Sequence, residues 1–215
     1  MNRLLLPVLL LLYLGLWTWA AIAPFDRSDW MLENVLAVVT IAALALSRRR
    51  YPLSPLSYIL IFVFLCLHAI GSHYTYAEVP YNLWSERLFG VPLNPLLGWE
   101  RNNFDRVVHF SYGLLLVYPV RELVMQVVGV RGFWGYFVPL DLMVSTSALY
   151  ELIEWGTAAL VGGDLGMAYL GTQGDVWDAH KDMALASLGA LLTITATACL
   201  QQWKGVRSGR TRRSP

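Results

Sequence analysis

Charge is what this chain has least of. Asp, Glu, Lys and Arg make up 14% of its 215 residues, against about 25% in an ordinary soluble domain. That excludes a water-covered globular fold. The net charge of +1 gives no bulk electrostatic case for nucleic acid. Cysteine is nearly missing as well. Cys66 and Cys199 are expected at different membrane depths, beyond disulfide reach, so small apolar packing is the expected role of both. Several catalytic signatures are absent: no His-Glu-x-x-His, no Gly-x-Ser-x-Gly elbow, no P-loop and no Rossmann glycine pattern. No internal repeat is present.

What remains is apolar. Hydrophobic residues make up 56% of the chain, and the mean hydropathy is +0.48. Nine Trp and eleven Tyr add the amphipathic aromatics found at bilayer interfaces. The expected class is all-α, a polytopic membrane bundle of about six transmembrane helices with no separate soluble domain.

Apolar runs place these helices at about 4–23, 31–47, 54–72, 105–120, 136–161 and 176–200. Residues 1–203 would form the transmembrane domain and 204–215 a basic cytoplasmic tail. The first run follows Arg3 and ends in Ala-Ile-Ala-Pro, a little like a signal peptide. Its length exceeds a signal core of roughly 7–15 residues, so it is expected as a retained helix. The stretch 73–103 is too rich in Tyr, Trp, Pro and Leu for a free linker and is expected to lie along the membrane surface.

Basic clusters set the orientation. With both termini, the Arg48–Arg50 loop and the Arg121–Arg131 loop inside, eleven of the sixteen Lys and Arg are cytoplasmic. The protein is therefore expected N-in and C-in. Thirteen of the fifteen acids then fall toward the outside, leaving only Glu122 and Asp141 near the cytoplasm. Acids contribute little to topology, so this asymmetry needs its own cause.

Four helix mouths supply polar groups at that outer depth. His68 and His73 end the third helix, and Asp105 with His109 open the fourth at spacing i, i+4. Ser147, Glu151 and Glu154 share a face of the fifth. Asp175, Asp178 and Asp182 enter the sixth at spacings of three and four, after the glycine-bearing turn Gly171-Thr-Gln-Gly174.

Each has a structural alternative. His68 could be a polar spacer bonded to a neighbour. Asp175 and Asp105 could be helix caps, with Asp178 helped by the helix dipole. Arg101, Arg106 and Lys181 could hold acids in surface ion pairs. Capping does not suit Glu151 and Glu154, which lie at the dipole end that disfavours anions. Ionisable groups inside a membrane point to function.

Imidazole with several carboxylates and no thiolate suits Zn, Mn, Fe or Mg. The expected ligands are His68, His109, Glu151, Asp178 and Asp182, with His73, Asp105 and Asp175 at the rim. Glu151, Glu154 and His109 are the catalytic candidates. A cation there could activate water for hydrolysis of a lipid-linked or exported substrate. Readings with Ser111 or Ser147 as nucleophile rank below this. Two alternatives remain: a proton- or cation-coupled transporter using the acids as a chain, and a structural or sensory protein whose polar groups fix helix packing.

Four stretches carry a family resemblance: His68-Ala-Ile-Gly-Ser-His-Tyr-Thr-Tyr-Ala-Glu-Val-Pro80, Asp105-Arg-Val-Val-His-Phe-Ser-Tyr-Gly113, Glu151-Leu-Ile-Glu-Trp155, and Gly171-Thr-Gln-Gly-Asp-Val-Trp-Asp178 through Asp182-Met183. In this order they resemble the YjdF-like family of bacterial inner-membrane proteins. The resemblance implies a multi-pass inner-membrane location and these motif positions, and it names no reaction. The Asp-Arg-x-x-His-Phe stretch is also faintly similar to VanZ-type membrane proteins. The first two helices carry no such motif and are expected to be scaffold. The expected partners are the lipid bilayer and a small-molecule or lipid substrate.

Overall fold

The computed structural model describes residues 4–163, 166 and 170–211. Among these residues it contains eight helices and no strand: α1 Leu5–Ala21, α2 Arg27–Ser47, α3 Pro55–His73, α4 Tyr81–Phe89, α5 Leu93–Leu97, α6 Phe104–Val127, α7 Trp134–Val161 and α8 Asp178–Thr211. α2, α3, α6 and α8 are long and apolar enough to cross a membrane. α1 is apolar and 17 residues long, while the 28 residues of α7 carry Asp141, Glu151 and Glu154.

Local chemistry accounts for the helix ends. Asp26 starts α2 by accepting hydrogen bonds from the Ser28 and Asp29 amides. Ser54 caps α3 on the Ser57 amide, and Pro55 takes the first turn, where no amide is needed. α4 stops at Gly90, whose φ of +79° favours a residue without Cβ.

Three ends differ from expectation. The second span starts at Arg27 and not at 31, because Asp26 caps the helix one turn earlier than the apolar run begins. The fourth span runs past Val120 to Val127, because Pro119 removes one backbone hydrogen bond and neighbouring helices cover the gap. The basic segment from Lys204 continues α8 to Thr211, with no proline before Pro215. Residues 212–215 lie outside the described residues.

α6 is the central element and packs on α3, α7 and α8, while α3 also holds α1 and α2. Large apolar side chains face outward over the bundle, among them Leu11, Leu12, Val35, Val39, Leu152 and Leu160. Water would not tolerate so broad an apolar surface; the acyl chains of a bilayer would. The molecule is a polytopic helical membrane bundle.

The stretch between α3 and α6 is tied down by polar contacts. The Tyr81 hydroxyl donates to Asn94 Oδ1 at 2.6 Å and accepts from the Asn103 amide at 2.9 Å. At the opposite end, Glu122 of α6 accepts from the Ser54 amide at 2.9 Å and the Ser57 hydroxyl at 2.6 Å.

Candidate functional site

The site begins with glycine. A Cβ on Gly113 of α6 would overlap the Ala186 carbonyl of α8, and one on Gly189 would overlap the Phe110 carbonyl of α6. The two backbones therefore touch, as small residues permit in membranes. One and two turns before Gly113 stand His109 and Asp105. One and two turns before Ala186 stand Asp182 and Asp178. Because α6 and α8 run parallel from the same end, this contact forces the four side chains together. α7 closes the third side with Ser147, Glu151 and Glu154.

Two groups result. The ligand atoms offered by His109, Glu151 and Asp182 lie within 4.8 Å of one another, and so do those of Asp105, Asp178 and Asp182. Asp182 belongs to both. His109 Nε2 is 3.7 Å from Glu151 Oε1. Glu154 stands three residues after Glu151 on the same face of α7. Glu151 Oε1, Asp182 Oδ1 and Ser147 Oγ are buried without a hydrogen-bond partner in the described structure. Such buried oxygens are costly unless something binds them.

Two arginines close the mouth. Arg101 pairs with Asp105 and, at 2.6 Å, with Asp178. Arg106 pairs with Asp175 and, at 3.2 Å, with Asp178. Asp175 sits outside the helix in the entry turn. The Lys181 ammonium 2.6 Å away and the Trp177 amide hold its carboxyl down to about 2.

The expected ligands divide on this geometry. His109, Glu151, Asp178 and Asp182 converge, and Asp105, expected at the rim, stands inside the second group. His68, expected as a ligand, is not brought to either group. Its Nε2 faces the Glu33 carbonyl at 3.2 Å and its Nδ1 faces the Tyr76 hydroxyl at 2.6 Å, so both nitrogens are engaged. His73 bonds the Ala20 carbonyl through Nδ1 at 3.0 Å and stacks on Trp19, packing against α1.

Glu33 of α2 had no motif to mark it. Glu33 is 5% exposed; the Tyr150 hydroxyl donates to its carboxyl at 3.2–3.3 Å, and the Tyr76 hydroxyl lies 3.3 Å from its Oε2. The available signal was a lone acid among Leu, Val and Ala, two turns into an apolar helix. Tyr76 reaches it because Thr75 and Tyr76 both adopt positive φ, 51° and 53°. That backbone costs on the order of 1 kcal/mol per residue. It folds the Tyr76 ring back over Gly71, where a Cβ would collide with it. Burial pushes the Tyr76 phenol well above its ordinary range, so the hydroxyl keeps its proton.

Comparison with known proteins agrees with the motifs. Residues 5–202 match the family described as Predicted membrane protein (DUF2238). The chain is 38% identical over 187 residues to Inner membrane protein YjdF of Escherichia coli (strain K12), covering 86% of this chain and 82% of that protein. No solved structure matches. The match spans all the bundle helices, α1 and α2 included, and agrees with their apolar lengths: this multi-pass inner-membrane protein belongs to the DUF2238 family.

Proposed function

We propose that the protein is a divalent-cation-dependent hydrolase acting on a lipid-linked or exported substrate in an outward-facing pocket. The supporting observation is the convergence of His109, Glu151 and Asp182 within 4.8 Å, with two of their oxygens buried and unpartnered. Charge supports it too. Asp105, Asp175, Asp178, Asp182, Glu151 and Glu154 face Arg101, Arg106 and Lys181, leaving three negative charges over. One divalent ion and one proton shared by Glu151 and Glu154 remove them.

A single imidazole with carboxylates suits Zn, Mn or Fe best, with Mg the hardest option. The ion would make bound water a better nucleophile. The protein's own groups divide the remaining work. His109, Glu151 and Asp182 would hold the ion; Arg101 fixes Asp105 and Asp178, and Arg106 fixes Asp178. Glu154 donates its proton to the leaving oxygen. Water's oxygen bonds the ester centre, and the proton this water releases returns to Glu154.

The buried apolar layer of Val117, Met143, Ala190 and Ile194 below the pocket favours this reading over an ion-coupled transporter. Its four core side chains carry no oxygen or nitrogen, and Tyr112 and Tyr136 pack at its edge. Six spans with both termini cytoplasmic complete the proposal, and a reporter fused after Pro215 checks the C-terminal side.

Elemental analysis of purified protein tests the cation. Wild type is expected to retain Zn, Mn or Fe, and His109→Ala and Asp182→Asn to lose at least about tenfold in affinity. Equal absence from all three overturns the reading. Cleavage of long-chain ester and phosphoester lipids with added cation then tests hydrolysis.

A further inference from the structure

Arg121 lies at the end of the bundle away from the pocket, more than a turn before α6 ends at Val127. Its charge suggested a loop, yet it is 7% exposed. Arg101 and Arg106 each reach two carboxylates, whereas Arg121 reaches none among the described residues. Of the two acids at this end, Glu122 turns to Ser54 and Ser57 and Asp141 is exposed on α7. A guanidinium carries five N–H donors. The described residues take one hydrogen bond from Arg121, from Nη2 to Gln201 Oε1 of α8 at 3.3 Å. The Tyr136 ring of α7 lies under Cζ, 4.5 Å from it to the centroid. Neither partner carries a carboxylate, and Nε is buried without a hydrogen-bond partner. A buried charge with no counter-charge is costly, and a buried donor with no acceptor adds to the cost.

Gln201 is placed to complete an anion site. Its Oε1 also accepts from the Tyr136 hydroxyl, at 2.5 Å. With the oxygen held by two donors, the carboxamide turns its NH2 away from them, and Gln201 is itself exposed. Phe133, Trp134 and Phe137 are exposed and pack ring to ring at the start of α7. Aromatics of this kind sit at headgroup level in a bilayer, and Tyr136 stands in the same turn. Beyond Gln201 the sequence carries Lys204, Arg207, Arg210, Arg212 and Arg213 and no acid. Basic pockets between membrane helices attract lipid phosphates.

We propose that Arg121 and Gln201 form a binding site for an anionic phosphate group, presented by a phospholipid headgroup or as free phosphate. The planar guanidinium matches two phosphate oxygens. The bound anion supplies the missing counter-charge and accepts from Nε, and the Gln201 NH2 donates to a further oxygen. The site uses no residue of the pocket, so it stands or falls separately from the hydrolase reading.

Thermal unfolding of delipidated protein in nonionic detergent, with phosphatidylglycerol, phosphatidylcholine or inorganic phosphate added, tests the site. Phosphatidylglycerol at about a hundredfold excess over its dissociation constant is expected to raise the wild-type midpoint by about 5–10 °C. Phosphatidylcholine, whose own cation neutralises its phosphate, is expected to do much less. An equal shift from inorganic phosphate supports the site with the free ion as its occupant; no shift from either anion overturns it. Arg121→Gln is expected to lose the shift and to be no less stable than wild type without lipid, since the uncompensated charge is gone. Gln201→Glu, at an exposed position, sets a carboxylate against Arg121 and is also expected to lose the shift; it serves if Arg121→Gln fails to fold. Arg48→Gln, exposed at the same end, is expected to keep it. A full shift in Arg121→Gln or Gln201→Glu, or a lost one in Arg48→Gln, overturns the proposal.

Discussion

Gly113 of α6 and Ala186 of α8 meet backbone to backbone, with no space for a Cβ at position 113. This contact sets the separation at which His109 and Asp105 face Asp182 and Asp178. It connects a packing fact in the apolar middle of the bundle to the chemistry one turn above.

Gly113→Ala is expected to destabilise the protein by about 1–3 kcal/mol, the usual cost of overpacking a tight interface. Divalent-cation affinity should fall with it, because the helices must part. Gly15→Ala is the control, since a Cβ there meets nothing within 4 Å and helix propensity favours the change. Thermal unfolding in detergent compares the two. Equal midpoints would show that the α6–α8 contact does not constrain the site.

Arg101 competes with a cation for Asp105 and Asp178. Arg101→Ala leaves the mostly buried Asp105 without its arginine and Asp178 with Arg106 alone, and stability without cation is expected to drop by about 3 kcal/mol. Mn²⁺ or Zn²⁺ should then restore much of the loss, by binding the folded state alone. Melting with and without cation measures this, and destabilisation without rescue contradicts the prediction.

Asp175 gives the protein an acid limit at its outer face. Its carboxyl ordinarily titrates near 3.8 and is held at about 2 in the fold by Lys181 and the Trp177 amide. The folded value is the lower one, so its stabilisation is present above pH 3.8 and lost as pH falls toward 2. Lys181→Met should lower stability throughout the range above pH 3.8, and flatten the fall in stability between pH 3.8 and 2, where variant and wild type converge. Circular dichroism across a pH series checks the direction.

Glu122 stabilises the far end by accepting from Ser54 and Ser57 at the start of α3. Glu122→Ala is expected to cost about 1.5–3 kcal/mol, the range for hydrogen bonds to a charged group. Cation affinity at the outer pocket should not change. Paired melting and binding measurements separate structural from functional loss, and a change in binding would tie the two ends together.

Helix boundaries were visible in the chain because apolar length and capping are local. Ser54 with Pro55 marks the start of α3 in the sequence itself, whereas the apolar run of α2 begins at 31 and hides the polar first turn that Asp26 caps. The common depth of the outer polar groups followed from alternating crossings of the bilayer. Periodicity places Asp178 with Asp182, and Asp105 with His109, each on one helix face. It does not say which way that face turns. His68 lies at the same outer end of the bundle, yet its ring turns toward Glu33 and Tyr76.

Sequence alone therefore determined an apolar helical bundle and which ionisable groups gather toward one end of it, since burial in lipid depends on composition and length. Only the tertiary structure decided which of those groups meet. That choice depends on helix rotation and on the backbone contact at Gly113 and Gly189. Glu33 joined them through a left-handed turn at Thr75 and Tyr76, a conformation that neither residue type announces.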